Sequence, residues 1–168
     1  MQHSAGVLAY KYEDRELMVL LIHPGGPFFK NKEKNCWSIP KGNVEDEEYT
    51  KVAAKREFEE ETGLTLKKDI KYLGKFQQSK YKVISIYTCK MKKVNLEDFH
   101  SNMFEMEWPP NSNQMQEFEE ADDIKWFKIN DAKEYIVQGQ VQVLDKLERD
   151  INNRRIQVIH SSKKKRRR

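Results

Sequence analysis

Apolar residues along the chain come in short runs separated by polar or turn-forming segments. Residues 5–10 (AGVLAY) and 17–22 (LMVLLI) predict two strands joined by the polar turn KYEDRE, and the second run is apolar enough to lie inside a sheet. HPGGPFF, residues 23–29, predicts a loop, because its glycines and prolines break regular structure. CWSIP, residues 36–40, is a short apolar run ended by Pro40 and Gly42. Residues 45–62 are rich in helix formers and free of Pro and Gly, so they predict a helix, stopped by Gly63 in the left-handed capping conformation. Glu45, Asp46 and Glu47 then suit the positive end of the helix dipole. Residues 70–76 and 82–89 (KVISIYTC) predict strands from their β-branched and aromatic content. Residues 90–123 predict a long irregular stretch, in which Pro109, Pro110 and the nearby Asn residues argue against a simple hairpin; loops of that length often act as lids. IKWFKI, residues 124–129, predicts a last strand, and residues 131–152 one or two helices interrupted near Gly139.

Composition narrows this picture. A chain of 168 residues suits one domain, and 38% hydrophobic residues can build its core, while 35% charged residues give it an unusually charged surface. No run approaches 18 apolar residues, and the start MQHSAGVLAYKY lacks a basic region followed by a long apolar one. The expectation is a cytoplasmic protein without a membrane partner. Cys36 and Cys89 have no metal-binding spacing and are expected to be reduced packing residues. The net charge of +4 arises from 31 basic and 27 acidic residues, but KKKRRR, residues 163–168, holds six of the basic ones. The remaining 25 against 27 acids leave the body at −2, so a uniformly basic nucleic-acid-binding surface is not indicated. A domain over 1–160 followed by a disordered basic tail over 161–168 is expected. That tail suits RNA, an acidic partner, nuclear localisation or mere solubility.

The chemical signal lies in REFEEETG, residues 56–63. At 100° per residue Glu57, Glu60 and Glu61 share one helical face, where like charges repel by about 0.2–0.5 kcal/mol per pair. They also stand at the helix end where the dipole disfavours negative charge. Arg56 compensates one carboxylate; a divalent cation would compensate the others. Oxygen ligands without Cys or His select Mg²⁺ or Mn²⁺ over zinc. A solvated acidic face is the alternative, and Glu59 beside Lys55 fits it.

Wider spacing adds a resemblance. Gly42 is followed by five residues, Glu48, seven more and then REFEEETGL, with Phe58 and Leu64 at the bulky apolar positions. This resembles the Nudix box at every specified position from Gly42 to Leu64, which implies an α/β fold, the Nudix α/β/α sandwich with a mixed β-sheet between helices. HPGGP, WSIPKG, EWPP and Trp126-Phe127 resemble a subgroup of nucleotide pyrophosphohydrolases within that family. The resemblance implies hydrolysis of a nucleoside diphosphate linked to another group, with Mg²⁺ or Mn²⁺ as cofactor and a nucleotide as substrate. It implies that Glu57, Glu60 and Glu61 bind metal, that Glu57 serves most often as the base, and that Arg56 holds Glu57. The carbonyl of Lys41 is a further implied metal ligand, and Glu48 would steady the loop onto the helix or bind a peripheral ion. A loop glutamate commonly joins such sites; Glu120 is preferred over Glu117 and Glu119, because FEEADDIKWF resembles the subgroup's F-P-E-x-D segment, with Glu119 replacing the proline.

Substrate choice is less marked. Tyr81 lies close to where dinucleoside polyphosphate hydrolases of this family place a tyrosine, and Phe28, Phe29, Trp37 and Trp108 are candidates to stack on a base. Lys41, Lys80 and Lys82 are candidates for phosphate contact. Core packing and ordinary surface exposure are the competing accounts of these residues. Three readings follow: a pyrophosphohydrolase of a dinucleoside polyphosphate or nucleoside triphosphate, an RNA 5′-end pyrophosphohydrolase using the basic tail, and a noncatalytic nucleotide-binding module.

Overall fold

The computed structural model describes residues 1–167. Strands β1 (Gln2–Glu13) and β2 (Glu16–Pro24) form a hairpin whose turn, Asp14-Arg15, takes φ of 50° and 68°. Both outgrow the apolar runs that announce them, since polar residues at their ends continue the pairing as far as Glu13 and Glu16. A short strand, β3 (Lys41–Asn43), pairs with the first half of β1, followed by helix α1 (Thr50–Thr62) and the hairpin of β4 (Lys71–Ser79) and β5 (Lys82–Lys90). Then come β6 (Met103–Glu107) and β7 (Met115–Glu119), paired only with each other, and β8 (Ala121–Lys128), α2 (Ile129–Tyr135) and α3 (Val141–Arg166).

The main sheet runs β4-β5-β1-β2-β8 with β3 beside β1; β1 and β5 are parallel and the other pairs antiparallel. Strand alternation feeds two cores. Ala5, Val7, Ala9, Leu20 and Ile22 pack under Ala53, Ala54 and Phe58 of α1. Leu8, Val19, Leu21, Ile84 and Ile86 face Ala132 of α2 and Leu144, Leu147 and Ile151 of α3. Burying each such aliphatic side chain contributes about 1.5–3 kcal/mol. The result is the expected mixed sheet between helices.

Three expectations are corrected. The helix begins at Thr50 rather than at residue 45, because Glu47 takes φ of 63° and the Glu45 N–H donates to the Glu48 carboxylate at 3.0 Å, closing a turn instead of a helix end. Its first turn therefore carries no acid. The stretch 90–123 contains a hairpin after all: both prolines fall in the connection, the Trp108–Pro109 bond is cis, and Asn111 and Asn113 accept φ of 61° and 58°. Trp108 N–H closes that turn onto the Gln114 carbonyl at 2.9 Å. Finally, the basic tail continues α3 to Arg166, where cations complement the negative end of the helix dipole and no Gly or Pro interrupts. Arg168 lies outside the described residues.

Candidate active site

The site is built where β3 meets the carboxylate-bearing face of α1. Buried Ala53, Ala54 and Phe58 bring the helix against the sheet, and this close approach presses Glu57 onto the strand. A Cβ placed on Gly42 would stand 2.0 Å from Glu57 Oε2, so any side chain there must displace the Glu57 carboxylate. Supporting β3 from behind, the fully buried Gln140 accepts the Ile39 N–H at 3.0 Å and donates to Ser38 Oγ at 3.0 Å. This brace was not legible in the sequence, because its partners lie about a hundred residues away.

Arg56 is the hub. Its Nε and Nη2 donate to Glu48 Oε2 and Oε1 at 2.9 and 3.0 Å, a two-pronged pair, and Nη2 also reaches the Asn43 carbonyl at 3.1 Å. Its Nη1 donates to Glu57 Oε1 at 2.8 Å and to Glu60 Oε2 at 3.3 Å. One guanidinium thus joins the strand, the preceding turn and two carboxylates of the helix. The hydrogen bonds from Arg56 hold Glu48 down to about 2. Glu57 moves the other way: burial raises it, against the pull of Arg56, with Glu60 and Glu120 adding repulsion.

Glu61 accepts the Lys41 N–H at 2.9 Å. The Val7 N–H donates to the Pro40 carbonyl and the Val44 N–H to the His3 carbonyl along the β1–β3 ladder, so the intervening Gly6–Lys41 pair directs its backbone groups away from each other. The Lys41 carbonyl is consequently turned away from β1, on the side of the strand where its N–H meets Glu61. Burial pushes Glu61 up to about 8, despite the Lys41 N–H and ammonium, while Glu57 and Glu120 reinforce the rise. Burial likewise lowers the Lys41 side chain to about 8, helped by the neighbouring Lys82.

Glu120 follows β7 and feeds the same electrostatic cluster as Glu57 and Glu61. Its backbone is pinned on both sides: its N–H donates to the Asn102 carbonyl at 2.8 Å, and its carbonyl accepts the Gly25 N–H at 2.9 Å. A Cβ on Gly25 would meet the Glu119 carbonyl at 1.8 Å, which explains one glycine of HPGGP. His23 completes this support. Buried against Trp37, it places Nδ1 2.7 Å from Asp122 Oδ1 and Nε2 2.5 Å from the Lys32 carbonyl. Two acceptors require a proton on both nitrogens. Burial works against that charge, but the Lys32 carbonyl and Asp122 prevail and raise the histidine. The sequence hint was a histidine ending an apolar strand; its partners were invisible.

The other candidates stand apart. Tyr81 is exposed on the β4–β5 turn with the Lys80 ammonium 5.3 Å from its ring centre, and neither makes a hydrogen bond or ion pair to the carboxylates among the described residues. Phe28 packs edge-on to Trp108 at 5.4 Å, joining the HPGGPFF loop to the β6–β7 hairpin, whereas Trp37 is core.

An all-oxygen donor set of Glu57, Glu60, Glu61, Glu120 and the Lys41 carbonyl suits a hard divalent ion. The raised proton affinity of Glu57 and Glu61 marks negative charge that the local cations do not balance. Among the described residues no three acidic side chains enclose a common point, since Arg56 and the Lys41 N–H engage them individually. The fit to such an ion thus rests on the oxygen chemistry of the donors and not on their present placement.

Comparison with known proteins identifies the family and the fold. The model of the NUDIX domain matches residues 2–147. The protein named "Putative hydrolase 111R" of Invertebrate iridescent virus 3 is 33% identical over 89 residues, 52% of each chain, so the chain spans about half the length of this curated relative. Among solved structures, an Ap4A hydrolase of C. elegans in a binary complex superposes with a TM-score of 0.61 at 21% identity, covering 91% of this chain and 99% of that one. The NUDIX domain of Shewanella oneidensis NrtR complexed with ADP ribose gives 0.59 at 17% identity, covering 90% and 88%. A mutT/nudix family protein of Listeria innocua gives 0.59 at 18%, covering 92% and 96%. With the family model spanning most of its length and the glutamate-bearing helix closing on Gly42, this chain belongs to the Nudix family.

Proposed function

We propose that this protein hydrolyses a pyrophosphate linkage in a nucleoside diphosphate derivative, using Mg²⁺ or Mn²⁺, with a dinucleoside polyphosphate or a nucleoside triphosphate as substrate. The observation that carries the reading is the Glu57 carboxylate, pressed against Gly42 with Oε1 held by Arg56, beside the partly buried Glu61. A bound divalent ion neutralises phosphate oxygens and lowers the pKa of bound water from about 15.7 toward about 7. Glu57, Glu60, Glu61, Glu120 and the Lys41 carbonyl would hold it. Within this frame Arg56 fixes Glu57 and leaves Oε2 to take the proton of the attacking water, a role worth about 10² to 10⁴ in rate. The ammonium groups of Lys41 and Lys82 offset phosphate charge. The nucleotide compounds in the names of the worm hydrolase and the NrtR complex, Ap4A and ADP ribose, are both nucleoside diphosphate derivatives, which supports the substrate class.

The test is a screen of dinucleoside polyphosphates, nucleoside triphosphates, nucleotide sugars and capped RNA with Mg²⁺ and Mn²⁺, followed by Glu60→Gln and Glu61→Gln. Metal-dependent release of nucleotide, lost by about 10² or more in either variant while the circular dichroism spectrum holds, is expected. Undiminished turnover in both variants would overturn the assignment.

A further inference from the structure

Beyond the carboxylates, a second charged surface is basic and lies at the C-terminal end of α1. A cleft of about 860 Å³ opens between Gly63–Thr65 and the segment after β5, lined by Lys67, Lys93, Met91, Asn95 and His100. A second hollow of about 370 Å³ adjoins it and adds Lys68, Lys90 and Lys92. Lys67, Lys68, Lys90, Lys92 and Lys93 form no ion pair among the described residues, whereas the nearby Lys51 is paired with Asp69 at 2.9 Å. The acids facing the cleft are Asp98 and, at its margin, Asp69. Five lysines against two acids give local excess positive charge on a body whose net charge without residues 163–168 is −2.

The band does not stop at β5. The Lys90 ammonium lies 5.5 Å from the centre of the Tyr12 ring, and the Arg155 guanidinium lies 4.6 Å from the same centre. Tyr12 thereby bridges the cleft to α3, whose exposed end carries Arg154, Arg155 and Lys163–Arg166. One cationic surface thus runs from the end of α1, across the rim of the sheet, and along α3.

We propose that this band binds the phosphodiester backbone of single-stranded RNA. A row of unpaired cations set in clefts and flanked by Met91 and Tyr12 matches a flexible chain with evenly spaced charges. A membrane surface fits less well, because Ile156, Val158 and Ile159 spread over an arc of about 160° around the helix that also carries Arg155, Lys163 and Arg166, so they form no continuous apolar face. The choice of RNA rests on the hydrolase reading above: RNA chains start with a 5′-triphosphate, the pyrophosphate linkage that site would attack. Gly63 stands two residues beyond Glu61, so an RNA whose 5′ end enters the carboxylate site has the lysine cleft at the adjoining helix end to receive its following nucleotides.

The experiment uses the full chain. In EDTA, where no metal-dependent turnover occurs, fluorescence anisotropy follows binding of a labelled 12-nucleotide RNA with a 5′-hydroxyl end, so the carboxylate site has no pyrophosphate to grip. Affinity should fall with salt at a log–log slope of about −2 or steeper, since each neutralised phosphate of a single strand contributes about −0.7. Lys67→Glu/Lys93→Glu and Arg154→Glu/Arg155→Glu should each weaken binding at least about tenfold, while the charge-matched control Lys34→Glu/Lys125→Glu should not. With Mg²⁺ the band variants should raise KM for 5′-triphosphate RNA and leave turnover of a free nucleoside triphosphate intact. Salt-insensitive or undetectable binding, equal losses in the control, or an unchanged KM for RNA would overturn the proposal. RNA binding without hydrolysis of any pyrophosphate would instead overturn the hydrolase reading and leave the backbone-binding surface standing.

Discussion

The carboxylates of α1 and the lysines beyond its end are neighbours of opposite sign, held in opposite ways. Glu57 and Glu61 are partly buried, restrained by Arg56 and by the Lys41 N–H, and raised in pKa by burial. Lys67 and Lys93 have no ion-pair partner among the described residues. A buried charge is expensive unless paired, so a fold that crowds acids against Gly42 retains them at a cost in stability. Exposed lysines cost little and constrain nothing locally. The acidic site is therefore rigid and geometrically specified, whereas the basic band is defined by its charge and continuity.

The sharpest way to break this contrast is to fill the space that rigidity requires. Gly42→Ala inserts a methyl into the position of the Glu57 carboxylate. Displacement by about 1 Å is expected to lower kcat by about 10²-fold, measured by nucleotide release under saturating metal. Next comes Arg56→Lys, which keeps the charge but loses the forked contact with Glu48. Its expected loss is about 10-fold in kcat/KM, from hydrogen bonds to charged groups worth about 1.5–3 kcal/mol when several are weakened together.

A stability measurement sharpens the comparison further. Because the folded state holds the Glu61 proton more tightly than the unfolded chain, its contribution is fully present below the ordinary carboxyl value of 4.5 and is lost as pH rises through about 8. The metal-free protein should lose thermal stability over that interval, and Glu61→Gln should flatten the loss and raise the Tm near pH 8. A Tm of the variant that tracks the wild type across this range would show that Glu61 is not the strained group. The smallest effect is expected at the other pole: removing residues 163–168 should leave hydrolysis of free nucleotides unchanged, read as equal kcat and KM. A marked loss on a small substrate would join the tail to the active site and dissolve the contrast.

Local patterning made the sheet, the helix bearing REFEEETG and its Gly63 cap legible, because strand alternation, helix propensity and a left-handed stop are properties of neighbouring residues. It misjudged residues 45–49, where acids that suit a helix start instead close a turn through Glu48. It also misjudged EWPPNSNQ, whose prolines occupy the connection between β6 and β7 instead of interrupting a strand. In the candidate site the spacing of Gly42, Glu48, Arg56, Glu57, Glu60 and Glu61 was visible as a motif, and the structure shows its contacts: Arg56 reaches three of those glutamates, and the Lys41 N–H takes the fourth.

Sequence by itself determined which residues are acidic, where the helix ends and that glycine stands at position 42, since these follow from side-chain chemistry and short-range conformational preference. Only tertiary structure decided that Gly25 and His23 grip the segment carrying Glu120, that Gln140 braces Ile39, and that Tyr12 lies between Lys90 and Arg155. Each of those contacts joins residues about 80 or more positions apart, or meets on a surface that exists only once two elements have packed. Chain closure on that scale is set by the collective burial of two cores and leaves no trace in a local window.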